Sequence, residues 1–137
     1  MKNEDLIKEA FEARRASYAP YSGFRVGAAL INRDGRVVRG CNVENASYGL
    51  SNCAERTAVF KAVSEGLRDF EAIAIVGGTE EGDETLGFAY PCGACRQVLR
   101  EFTIPETFKV IIARSVNDYE EYTLKELLPH SFGPDNL

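Results

Sequence analysis

No stretch of this 137-residue chain approaches the eighteen or so consecutive apolar residues that cross a bilayer, so a membrane partner is not expected. The opening Met1-Lys2-Asn3-Glu4-Asp5 lacks the basic-then-apolar order of a secretion signal, and the expectation is a soluble cytoplasmic protein. Clusters of Lys and Arg are missing too. Sixteen basic residues against twenty-one acidic ones leave a formal net charge of -5, which argues against a nucleic-acid partner. Histidine occurs once, at His130, and a lone imidazole without partners reads as a surface or interface residue. Repeats, linkers and low-complexity segments are absent, and the length suits one domain over residues 1–137.

Cysteine is sparse, with four residues. In a reducing compartment these thiols do not form disulfides, which leaves metal binding or catalysis as their use.

What is present is a periodic pattern. Leu6, Ile7, Ala10 and Phe11 recur at helical spacing and predict an amphipathic helix over 3–17, stopped before Pro20. Phe24, Val26, Ala28 and Leu30 alternate with other residues, and Asp34-Gly35 then leads into Val37-Val38, the signature of a hairpin. A polar, turn-like stretch over 43–52 precedes a helix over 53–65 that ends at Gly66. An apolar strand over 70–76 leads into a long polar loop over 77–90. A third helix runs from Pro91 or Cys92 to about Phe102, followed by a strand over 108–113, a turn at Asn117-Asp118 and a returning strand over 119–122. Thr123 and Glu126 form a capping-box start to a short last helix. This order predicts an α/β fold, a single mixed sheet with helices packed on its faces.

Two segments carry chemistry, Cys53-Ala54-Glu55 and Pro91-Cys92-Gly93-Ala94-Cys95, each at a predicted helix start. The partial positive charge of a helix N-terminus stabilises thiolates, so two such ends suit three cysteine ligands around one Zn2+. Three protein ligands leave a tetrahedral zinc one open position, the pattern of catalytic sites. Glu55, two residues beyond Cys53, is placed to act on a metal-bound water as general acid/base without ligating. Arg56 can donate to the sulfurs and offset their charge. The same residues leave two other readings open: a structural four-cysteine zinc knot that recruits Cys41, and a redox pair Cys92/Cys95.

Around these motifs stand Tyr18-Ala19-Pro20-Tyr21-Ser22, Phe24-Arg25-Val26-Gly27-Ala28-Ala29-Leu30, Gly40-Cys41-Asn42-Val43-Glu44-Asn45-Ala46-Ser47-Tyr48, Cys53-Ala54-Glu55-Arg56, Pro91-Cys92-Gly93-Ala94-Cys95-Arg96-Gln97 and Leu127-Leu128-Pro129. Together they make the chain resemble the short, homotetrameric, three-cysteine cytidine deaminases over nearly its whole length. That resemblance implies a three-layer fold with a five-stranded mixed sheet and helices on both faces. It implies one zinc per chain on Cys53, Cys92 and Cys95, and hydrolytic deamination of free cytidine and deoxycytidine, as in pyrimidine salvage. Attack by zinc-bound hydroxide at C4 of the base, with Glu55 as proton shuttle, is the implied chemistry. The implied substrate contacts are Phe24 in the pocket, the Ala54 N–H on the base carbonyl, and Asn42 with Glu44 on a ribose hydroxyl. Ala46, Tyr48 and Phe132 correspond to residues supplied across subunit interfaces, although Phe132 reads equally as a plug in its own subunit. Cys41 corresponds to a position that is no ligand and reads as a buried free thiol. Ser22, Arg25 and the acidic stretch Glu80 to Glu84 read as solvated surface. A blasticidin-type antibiotic deaminase shares the zinc motifs and is the alternative enzyme, while a non-enzymatic zinc module is the alternative outside enzymes.

Overall fold

A sheet buried on both faces dominates the computed structural model, which describes residues 1–79 and 86–137. The first helix, α1, covers Asn3–Arg14. It is followed by β1, Arg25–Asn32, and β2, Val37–Cys41. Next come α2, Ala54–Ser64, β3, Phe70–Gly78, and α3, Gly93–Phe102. The chain finishes with β4, Lys109–Ser115, β5, Asp118–Thr123, and α4, Leu124–Leu127. Spatial order in the sheet is β2-β1-β3-β4-β5. All neighbours are antiparallel except β3 and β4, whose parallel pairing requires the long crossover that contains α3.

Alternate residues of the central strands feed two separate cores. Ala29, Ile31, Ala74, Val76, Ile111 and Ala113 pack beneath Leu6, Ile7, Ala10 and Phe11 of α1. Ala28, Leu30, Ile73, Ile75, Val110 and Ile112 pack against Ala58, Val59 and Ala62 of α2, Leu99 of α3 and Leu124 of α4. Removing Leu6, Ile7 and Phe11 from water contributes roughly 1.5–3 kcal/mol apiece before ordering entropy is counted. The alternation seen from Phe24 to Leu30 therefore marks only one of two covered faces, and β1 is buried from Gly27 to Asn32.

Two glycines set how closely the helices approach. A Cβ on Gly27 would lie 2.1 Å from the Ala10 carbonyl oxygen, so α1 rests directly on β1. A Cβ on Gly40 would lie 2.4 Å from the Ala58 nitrogen and 2.5 Å from the Ala54 oxygen, which lets the first turns of α2 settle onto β2. At the same end of the sheet the buried Arg14 donates to the carbonyls of Arg25 at 2.9 Å and Gly78 at 2.8 Å, tying α1 to β1 and β3.

Several boundaries differ from the sequence pattern for physical reasons. Helix α1 ends at Arg14, where the arginine turns inward to those carbonyls, rather than at Ser17. Strand β1 begins after Phe24. The 77–90 stretch is less polar in role than its composition suggests: β3 runs on to Gly78, and Leu86 is buried in the α1-side core. The acidic run Glu80 to Glu84 lies outside the described residues. Thr123 and Glu126 form the expected capping box. Among the described residues, no helix is long and apolar enough to cross a membrane.

Candidate metal and active site

Cys53 is the N-cap of α2 and Cys92 the N-cap of α3, so the two helix starts converge with their unpaired N–H groups toward the same sulfurs. The Cys95 N–H points at the Cys92 sulfur, 3.5 Å away. The sulfurs of Cys53, Cys92 and Cys95 all lie within 4.8 Å of one another, and Cys53 and Cys92 are 3.9 Å apart. Zn–S bonds of about 2.3 Å in a tetrahedron put neighbouring sulfurs about 3.8 Å apart, so the cluster fits zinc with little adjustment. Among the described residues Cys41 is not part of this group. It pairs with Gly27 at the β1–β2 ladder as a free, half-buried thiol, and burial pushes its pKa up.

The electrostatics of the cluster favour cation binding. Cys53 is held near a pKa of about 5, first by the thiol of Cys95 donating to it and then by Arg56. The same sulfur contact and burial push Cys95 up. A divalent cation bound here would offset the charge of the thiolates. Arg56 Nη2 donates to the Cys53 sulfur at 3.2 Å, while its buried Nε finds no hydrogen-bond partner among the described residues.

Glu55 follows in the first turn of α2 and is only 5% exposed. Burial raises its pKa to about 7, with a further push from the neighbouring Cys53. Its side chain lines a cavity of about 290 Å³ whose wall also includes Phe24, Asn42, Glu44, Ala54 and the two outer sulfurs, Cys53 and Cys92. Ala54 contributes the first helical position of α2, where a backbone N–H precedes the internal ladder.

Asn42 and Glu44 lie just past β2 and are held firmly. Asn42 Oδ1 accepts from the Val26 N–H at 2.8 Å and from the Ser17 hydroxyl, and its Nδ2 donates to the Phe24 carbonyl at 2.7 Å. Glu44 accepts from the N–H groups of Tyr21 and Ser22 at 2.9 and 3.1 Å and from the Ser22 hydroxyl. These bonds, the Ser22 hydroxyl foremost, hold the Glu44 carboxyl below the ordinary carboxylate range.

A family model described as the cytidine and deoxycytidylate deaminase zinc-binding region matches residues 1–111. The cytidine deaminase of Halalkalibacterium halodurans is 52% identical over 137 residues, covering 100% of this chain and 98% of that protein. The chain belongs to the cytidine deaminase family. A cytidine deaminase of Sporosarcina psychrophila is 48% identical, with 100% of this chain and 96% of that protein covered. The crystal structure of cytidine deaminase from Burkholderia pseudomallei superposes with a TM-score of 0.86 at 51% identity, covering 96% of this chain and 100% of that one. The three-cysteine cluster of this family member is thus its zinc site.

Not every residue singled out in the sequence meets at that site. Phe24, Asn42, Glu44, Cys53, Ala54, Glu55 and Cys92 share the cavity, with Cys95 and Arg56 against its sulfurs. Ala46, Tyr48 and Phe132 do not line it: Ala46 is exposed, Tyr48 is 74% exposed and Phe132 is 60% exposed. His130 is exposed as well. Ser22 is exposed, as its reading as solvated surface expects, but it also lines the cavity and bonds to Glu44. Tyr90 was not singled out either. It lines the cavity next to Cys92 and donates its hydroxyl to Glu120 of β5 at 2.5 Å, a partnership between distant segments that no local pattern encodes.

Proposed function

We propose that the chain acts as one catalytic domain over residues 1–137 that hydrolyses free cytidine and deoxycytidine to uridine and deoxyuridine with release of ammonia. Cytidine deamination is the activity of the family to which the chain belongs. The observation that carries the residue-level reading is a buried carboxyl, Glu55, sharing one cavity with the sulfurs that hold zinc. One zinc on Cys53, Cys92 and Cys95 supplies, when bound, a Lewis acid that makes water a competent nucleophile near neutral pH.

The chain's own groups do the remaining work. Glu55 takes one proton from the attacking water and gives it to N3 of the ring, then takes the remaining proton of the same oxygen and gives it to the departing amino group, so one residue serves as base and then as acid in each transfer. The Ala54 N–H donates to the base carbonyl, where negative charge grows as the ring loses conjugation. Phe24 packs against the base, and Asn42 with Glu44 grips a ribose hydroxyl, so ligands that lack it forgo a hydrogen bond to a charged group. Arg56 supports the Cys53 thiolate without touching the substrate.

Exposed Ala46, Tyr48 and Phe132 are supplied to the cavity of a neighbouring copy, in a homotetramer. Their exposure and absence from their own cavity support this placement. The net charge of -5 suits a small nucleoside substrate better than a polynucleotide, and the reading is of a cytoplasmic enzyme.

The test is the fall in cytidine absorbance as uridine forms, on protein whose zinc content is measured in the same sample. Conversion of cytidine and deoxycytidine with about one zinc per chain is the expected result. Full zinc occupancy with no conversion of either nucleoside would overturn it, and would point to the antibiotic deaminase or the zinc module.

A further inference from the structure

Ser22 lines the cavity together with Phe24, Asn42 and Glu44. Its Oγ accepts from the Phe24 N–H at 3.0 Å, and its hydroxyl proton goes to Glu44 Oε2. The incoming N–H settles the hydroxyl rotor, because a group that accepts from Phe24 is left to donate toward the carboxylate. Glu44 Oε1 meanwhile accepts from the Tyr21 and Ser22 N–H groups at 2.9 and 3.1 Å. A carboxylate has about four acceptor positions, so three are occupied and one remains, on Oε2. The depressed pKa of Glu44 keeps it ionised and therefore an acceptor only.

Asn42 is committed in the complementary way. Its Oδ1 is taken by Val26 and Ser17, and one of its two Nδ2 protons by the Phe24 carbonyl. The pair thus offers one open acceptor on Glu44 and one open donor on Asn42, the complement of a single hydroxyl.

We propose that Ser22 is a specificity-determining positioning residue, which holds the Glu44 carboxylate so that one acceptor position stays open to a ribose hydroxyl of the nucleoside. Without its hydroxyl, Oε2 has two open positions that water can fill, and it distinguishes less sharply a nucleoside that presents the hydroxyl from one that lacks it. The inference rests on the reading of Asn42 and Glu44 as the ribose grip.

The experiment compares kcat/KM for cytidine and its 2′-, 3′- and 5′-monodeoxy analogues in the wild type, Ser22→Ala, Ser22→Thr, Glu44→Ala and the Ser22→Ala/Glu44→Ala double variant, all zinc-loaded. In the wild type one analogue carries a large penalty. In Ser22→Ala that penalty shrinks about ten-fold, the worth of one hydrogen bond to a charged group, through KM rather than kcat. The other two analogues keep their ratios to cytidine. Ser22→Thr keeps the hydroxyl and restores the wild-type ratios, and the double variant discriminates no worse than Glu44→Ala alone. A loss in Ser22→Ala that falls equally on all four substrates means a structural role and overturns the inference, as does an unchanged penalty. A wild type that deaminates cytidine but penalises none of the analogues removes the ribose-grip reading, and this inference with it.

Discussion

The guanidinium of Arg56 lies against the sulfur of Cys53, with Nη2 at 3.2 Å, Cys53 being the N-cap of α2 and Arg56 standing three positions on in its first turn. The helix geometry brings them together, since side chains three apart share a face. By offsetting negative charge at the cluster, the contact would leave a bound zinc a stronger Lewis acid than three bare thiolates alone. Arg56→Ala is therefore expected to weaken zinc binding or turnover by roughly 10–100-fold while leaving a cooperative unfolding transition. Metal analysis after dialysis against a competing chelator, together with steady-state rates, checks it; unchanged values of both would sink the role.

Glu55→Gln keeps the shape and burial of the side chain but cannot accept and return a proton. Zinc content and melting temperature are expected to stay near those of the wild type, with kcat reduced by about two to four orders of magnitude. Activity within ten-fold of the wild type would remove Glu55 from the proton path.

Metal removal should separate catalysis from folding. The two cores, one under α1 and one under α2, α3 and α4, are built of apolar side chains and include none of the three zinc ligands. Dialysis against a strong chelator is expected to abolish turnover and lower the melting temperature, because zinc binds only the folded site, but the chain should still unfold cooperatively. Added zinc should restore activity. Loss of helical signal on chelation would instead identify a fold that depends on the metal, as in small zinc modules.

Gly40→Ala tests how the sheet sets the depth of the site. The new Cβ would meet the Ala58 nitrogen at 2.4 Å and the Ala54 oxygen at 2.5 Å, both rigid backbone atoms. A cost of about 1–3 kcal/mol or more is expected. The displacement falls on the turn that carries Cys53 and Glu55, so kcat should drop in the fraction that remains folded. A variant with wild-type stability and rate would show that α2 can shift without moving the site.

The Tyr119 hydroxyl donates to Glu4 at 2.7 Å, joining α1 to β5 and holding the Glu4 carboxyl below its ordinary pKa. A depressed carboxylate pKa means that the contribution to stability is present above the unfolded value and is lost as pH falls through the folded value. Tyr119→Phe is therefore expected to melt slightly below the wild type at pH 7, with the gap closing below about pH 4, the ordinary carboxylate range. A gap of constant size across that range would show that the bond carries no charge-assisted stabilisation.

Much of the site was legible because its chemistry is local. Cys53 with Glu55, and Cys92 with Cys95, each sit within one short segment at a helix start, and that placement follows from residue type, spacing and capping alone. The helices and strands were legible for the same reason, as apolar periodicity records which face of an element is covered. It does not record what covers it. Both alternating sets of β1 are buried, and only α1 lying over the second set explains why Ala29 and Ile31 are as buried as Ala28 and Leu30. The link of Ser22 to the site, and Tyr90 altogether, were not legible because their partners, Glu44 and Glu120, are 22 and 30 positions away and a serine or tyrosine in a loop has no pattern of its own.

The sequence by itself determined the ligand types, the resemblance to a family, and the mixed sheet with helices on its faces, and it singled out Glu55 beside the ligands, because each depends on short-range spacing or on composition. The tertiary structure decided which sulfurs meet. Cys53 and Cys92 stand 39 positions apart, and the parallel β3–β4 crossover brings their helix starts together while Cys41 remains in the β1–β2 ladder. It also decided that Asn42 and Glu44 are locked by the loop before β1 rather than left in solvent. The physical reason is the same in both cases. Long-range contacts are set by how closely packed surfaces approach, here at Gly27 and Gly40, and that depends on all the elements at once rather than on any one segment.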